Sequence, residues 1–192
     1  MSTGLIAFSL VFVGIFLYAI SLYNQLVTLK HQAKKAWSNI KIALKQRNDE
    51  LPKLIETCKQ YMQYESTTLE KVIQARRQVI GAMQQDHLDA LGAAEDRLRL
   101  GLGQLFAVAE EYPQLKSNEH FQHLQQRVTG LEENIADRRE FYNESVNINN
   151  TRIEQFPDNV IAGLFRFQPF DLLQFSSQET RDVNMKPLFQ KA

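Results

Sequence analysis

The sequence predicts an all-α protein: an N-terminal transmembrane helix that runs on into an antiparallel up-and-down four-helix bundle, closed by a phenylalanine-rich C-terminal tail. Three observations carry this. Residues 1–29 contain no charged side chain. Apolar residues beyond them recur at steps of three and four, the period of one helix face. Gly (8) and Pro (5) are scarce among 192 residues, too few for the turns of an all-β fold.

The anchor comes first. Leu5 to Ile20 is almost wholly apolar, and Ser21-Leu22-Tyr23 extends it to the length a helix needs to cross about 30 Å of hydrocarbon. A cleaved signal would show a basic start and a small-residue exit, whereas this one starts Met-Ser-Thr-Gly and leaves through Tyr18-Ala19-Ile20-Ser21-Leu22. A retained anchor over residues 1–22 is therefore expected. Past it lie Lys30, Lys34, Lys35, Lys41, Lys45 and Arg47 before the first acid, Asp49. By the positive-inside rule the short N-terminus faces out and the bundle faces the cytoplasm, a periplasmic bundle being the alternative. The bases nearest the membrane also suit anionic lipid headgroups. Phe8, Phe12 and Phe16 recur every four residues as a ridge, read either as lipid contact or as a seam between protomers.

The bundle is expected over residues 23–157. Tyr23, Leu26, Ala33, Trp37, Ile40 and Leu44 share one stripe, so the anchor continues as the first bundle helix. Asn48-Asp49-Glu50-Leu51-Pro52 reads as a join, with Asp49 as N-cap and Pro52 in the next first turn. One long helix kinked at Pro52 is the alternative. A second helix is expected over 51–80, with a stop and restart between Gly81 and Asp89. A third helix then reaches Ala109 and ends at Tyr112-Pro113, and its Gly92, Gly101 and Gly103 suit close helix approach. The last is capped by Ser117 or Asn118, carries Phe121, Leu124, Val128, Leu131, Ile135, Tyr142 and Val146 at heptad-like, coiled-coil spacing, and frays near Phe156-Pro157. This topology returns the chain to the membrane and predicts Tyr142 and Asn143 beside Tyr23 and Asn24. Asn143, Asn147, Asn149 and Asn150 form either a buried polar network at that end or a frayed, solvated one.

The tail, residues 158–192, contains Phe165, Phe167, Phe170, Phe175 and Phe189. It either folds back to close the bundle or meets the bilayer or a neighbouring subunit. Phe165, Phe167, Phe170 and Phe175 are the candidate contacts.

Signatures of chemistry are missing. Lys plus Arg (22) balance Asp plus Glu (22), without the basic excess that nucleic acid requires. The one cysteine, Cys58, permits no internal disulfide or Cys-x-x-Cys pair. No Gly precedes a Lys as in a phosphate-binding loop, and no His follows a Glu at the spacing of di-iron bundles. Glu119-His120-x-x-His123 has ligand-like spacing but reads better as a solvated first turn. The expectation is no enzyme, no catalytic or metal-binding residue, no cofactor and no small-molecule substrate.

One resemblance spans most of the chain. Tyr23-Asn24, Ala36-Trp37-Ser38, Leu44-x-x-Arg47 and Leu51-Pro52-x-Leu54 are followed by Tyr61-x-x-x-Glu65, Ala75-Arg76 and Tyr112-Pro113-x-Leu115. Then come Glu133-x-Ile135-Ala136-x-x-Arg139-x-x-Tyr142-Asn143, Asn149 and Phe156-Pro157-x-x-x-Ile161-Ala162. In order and spacing this resembles LemA-family proteins over roughly residues 20 to 175. Arg166 and Gln168 depart from the smaller, less polar pattern expected there. The resemblance implies a bacterial inner-membrane protein with one N-terminal helix, a helical bundle and no established catalytic activity. It also implies an association of some members with a heat-shock membrane metalloprotease. The expected function is thus a membrane scaffold that self-associates as a homo-oligomer through anchor, bundle and tail, organising or shaping the bilayer. The alternative is an accessory adaptor for a membrane protease or sensor.

Overall fold

The structure is a computed structural model that describes residues 2–85 and 87–174. Every regular element among them is helical: α1 (Ser2–Tyr61), α2 (Ser66–Gln84), α3 (Leu88–Ala109), the short α4 (Pro113–Lys116), α5 (Glu119–Glu154) and the short α6 (Asp158–Leu164).

The 60 residues of α1 are the largest departure from the expected pattern. No joint forms at 48–52, and Pro52 lies inside the helix. A proline there has no N–H for the carbonyl four residues earlier, which belongs to Asn48. Arg76 of α2 supplies the missing donor, its Nε lying 3.1 Å from the Asn48 carbonyl oxygen. The interruption falls instead at 62–65, between Tyr61 and Ser66, so the single helix expected over 51–80 is divided there. Ser66-Thr67-Thr68, of low helical preference, open the helix that follows.

Other boundaries follow local chemistry. Asn118 caps α5, its Oδ1 accepting the Phe121 N–H at 3.0 Å. Pro113 opens α4, where a missing N–H costs no hydrogen bond. At its far end α6 closes with the Phe167 N–H on the Ala162 carbonyl (2.9 Å) and the Arg166 N–H on that of Gly163 (3.3 Å). This pairing requires a left-handed residue between helix and exit, and Arg166 fills it at φ 55°.

Among the described residues the chain divides into two compact units, residues 2–47 with 128–172, and residues 48–127 with 173–174. In the first unit, α1 and α5 run antiparallel: Arg47 pairs with Glu132, Trp37 with Tyr142 and Gln25 with Arg152. Leu22, Leu26, Ala33, Ala36, Ile40, Ala43, Ile135 and Val146 are buried there. Arg47 is completely buried, its Nη1 2.8 Å from Glu132 Oε1. A buried guanidinium has to meet a counter-charge, and α5 brings one to it.

In the second unit, α2 and α3 form an antiparallel hairpin, with Arg97 donating to Gln78 at 2.9 Å. Gly101 packs against Val72 of α2, where an added Cβ would make ordinary contact at 3.4 Å. Gly92 faces the Gln174 carbonyl, which an added Cβ would meet at 2.9 Å, while Gly103 faces open space. Of the three α3 glycines, Gly92 alone permits an approach that a side chain would block, and that approach is to a non-helical segment. Glu50 accepts from Lys53 and Arg127, both at 3.0 Å, and Asn118 reaches the Tyr61 hydroxyl at 3.1 Å.

Candidate functional site

The first unit gathers the unusual side chains where the apolar part of α1 gives way to its polar part. Below this point Leu5 to Ile20 leave their large apolar side chains 41–71% exposed. The helix has a mean hydropathy of 2.5 in its most apolar window, enough to cross a membrane by length and composition. Phe8, Phe12 and Phe16 all stand in that exposed stretch.

Above it, the C-terminal segment is clasped against α1 and α5. The Tyr23 ring meets the rings of Phe165 and Phe167, with centroids 4.7 and 6.0 Å away. The Lys30 ammonium stands 5.5 Å above the Phe167 ring, a distance at which the ring face attracts a cation. Asn150 binds the backbone of Phe170 in both senses, donating through Nδ2 to its carbonyl (2.8 Å) and accepting its N–H (3.0 Å). Tyr142 donates its hydroxyl proton to the Asp171 carbonyl at 2.8 Å. Burial, helped by the negative charge of Asp171, pushes the Tyr142 phenol up to about 12. It therefore stays a donor at any physiological pH.

The predicted polar cluster is not one cluster. Tyr142 packs on Trp37, ring centroids 5.5 Å apart, rather than on Tyr23. Trp37 lies fourteen residues, about 21 Å, further along α1. The antiparallel register sets this, since Gln25 is opposite Arg152 and Trp37 opposite Tyr142. Asn24 is exposed and accepts a bond from the Thr28 hydroxyl at 2.9 Å. Asn143 is half-buried. Asn149, buried, donates to Asn150 at 3.2 Å, so two of the asparagines expected in a polar network are joined to each other. Among the tail residues, Phe165 and Phe167 meet Tyr23, Phe170 is held by its backbone, and Phe175 lies outside the described residues.

Arg152 links three segments. Its Nη2 donates to Gln25 at 2.7 Å and lies 3.2 Å from Asp158 Oδ1, paired by charge though not angled as a hydrogen bond. It also borders an open groove of about 610 Å³ lined by Leu17, Ile20, Asn24, Thr28 and Ile148. No group of three or more His, Cys, Asp or Glu among the described residues is placed to hold a metal ion. The arrangement holds a C-terminal segment against the α1–α5 pair.

Two magnetosome proteins of Paramagnetospirillum magneticum, MamQ 1 and MamQ 2, are each 30% identical over 102 residues, covering 53% of this chain and 38% of theirs. Magnetosome protein MamQ of Magnetospirillum gryphiswaldense is 22% identical over 169 residues, covering 76% of this chain and 62% of its own. The chain thus spans between about two fifths and three fifths of these relatives' length. The model of the LemA family matches residues 36–186, from the aromatic heart of the first unit to beyond the clasped segment. This chain belongs to the LemA family.

Proposed function

We propose that the protein is a non-enzymatic, single-pass scaffold of the bacterial inner membrane. It self-associates through its anchor, its helical body and its aromatic C-terminal segment, and so organises the membrane around it. The observation that carries this reading is the unbroken α1, whose first third exposes an uncharged apolar surface and whose next turns build the core of the first unit. Among the described residues nothing covers the exposed aromatics on that surface, so lipid and a second protomer are their natural neighbours. Lys30, Lys34 and Lys35 favour the cytoplasmic side for the body. Relatives named for a cellular structure, not for a reaction, support a structural role.

The test is the particle mass of the full chain in nanodiscs, beside versions ending at Ile161 or lacking residues 1–22. A uniform assembly that collapses on either deletion is expected. A strict monomer in all three overturns self-association. One foreign protein recovered in stoichiometric amount by crosslinking would favour the adaptor reading, with a membrane protease or sensor as partner.

A further inference from the structure

The surface of the turn before α6 and of α6 itself is apolar in a way that membrane anchoring alone does not require. Phe156, Val160 and Leu164 recur every four residues and are 81%, 60% and 73% exposed. Within the helix, Val160 and Leu164 share one face, while Asp158 and Ala162 share the opposite face and are buried. Residues 155–165 contain one charged side chain, Asp158. That carboxylate is 2% exposed and paired with Arg152 at 3.2 Å, so the outer face of the segment shows no charge at all. Glu154 and Arg166 bracket the stretch on either side.

Its position is fixed by contacts within the first unit. Phe165, at the end of α6, lies against Tyr23, and Arg152, at the end of α5, holds Gln25. Both partners sit where the uncharged helix ends. The first cation of the chain, Lys30, stands about 10 Å further along α1. The ridge is therefore on the membrane side of the first charge, next to the point where α1 leaves the hydrocarbon.

We propose that α6 and its preceding turn form a wedge that lies in the interfacial layer of the bilayer, with Phe156, Val160 and Leu164 among the upper acyl carbons. This rests on the membrane-anchored reading and adds a second, peripheral point of insertion beside the span. Apolar side chains gain by leaving water there, and no exposed charge has to be dehydrated. Asp158 would be costly at such a depth were it not turned inward onto Arg152. Arg166, exposed at the exit, has a stem long enough to keep its guanidinium among the headgroups.

The experiment uses the full chain in phosphatidylcholine vesicles. The only tryptophan is replaced (Trp37→Phe), and single tryptophans are placed by Val160→Trp, Leu10→Trp or Gln60→Trp, the first and last at exposed positions. Emission is compared between vesicles with plain and with brominated acyl chains. The Val160→Trp and Leu10→Trp probes are expected to lose at least half their emission, and the Gln60→Trp probe none. A quenched Leu10→Trp probe with an unquenched Val160→Trp probe overturns the wedge and leaves the anchor standing. Neither probe quenched overturns both. An unquenched Val160→Trp probe whose emission shifts to the blue only at high protein density assigns the ridge to a second copy of this chain, and also overturns the wedge.

Discussion

Two buried acids hold their protons more tightly in the fold than in water. Burial pushes the Cys58 thiol from 9.0 to about 12, and Tyr142 rises from 10.0 to about 12. The unfolded chain loses these protons first, so both groups stabilise the fold below their unfolded values and cease to do so as pH rises toward 12. Denaturation midpoints are expected to fall from pH 9 upward. Tyr142→Phe should flatten the part of the curve above pH 10, and Cys58→Ala the part that begins at pH 9. Iodoacetamide should leave Cys58 unmodified until the chain unfolds, since the buried thiol forms no thiolate at neutral pH. Asn150 makes a different prediction. Its side chain satisfies both backbone groups of Phe170, so Asn150→Ala should cost about 1–3 kcal/mol in chemical denaturation. Asn150→Asp, which keeps the acceptor and loses the donor, should fall between. None of this partnership was legible in the sequence. A backbone amide has no residue-type signature, so Asn150 looked like one of four asparagines in a row of candidates.

Among the helices, the proline in α1 gives the sharpest test. Pro52→Ala restores the N–H that the Asn48 carbonyl lacks and should stabilise the protein by about 1–3 kcal/mol. Arg76→Ala should destabilise the parent more than it does the Pro52→Ala protein. Their coupling in a double-mutant cycle is expected to be about 1 kcal/mol, read from urea midpoints. The same pair explains what the sequence hid. Pro52 reads as a helix end because the rule for proline is local, whereas the donor that rescues the helix comes from another element. The break at 62–65 was missed for the opposite reason. Met62 and Leu69 are both buried and lie seven residues apart, so the apolar stripe passes through the gap as though the helix were unbroken. Local signals worked where nothing distant competed with them: the uncharged start of α1, the turn between α2 and α3, and the Asn118 cap. The sequence points Tyr142 toward Tyr23 and the structure sets it on Trp37, because two long antiparallel helices can slide past one another without changing their apolar periodicity. Only the observed register sets it against Trp37.

For the molecule as a whole, the exposed stretch of α1 contributes surface and no core. Removing residues 1–20 spares Leu22 and Leu26, the first buried side chains of the helix. The shortened protein is expected to stay in solution without detergent and to melt within a few degrees of the full chain, as followed by circular dichroism. A large loss of stability would mean that the apolar helix serves the fold. The absence of any break in α1 on leaving that stretch has a mechanical consequence. A jointed anchor would swivel and leave the body indifferent to the lipid beneath it. Here the apolar stretch and the first unit share one stiff axis, and a membrane-spanning helix whose apolar length exceeds the local hydrocarbon thickness answers by tilting. A bilayer that thins or thickens would then swing the clasped aromatic face toward or away from its surface. The chain would convert ångström-scale differences in membrane thickness into angle.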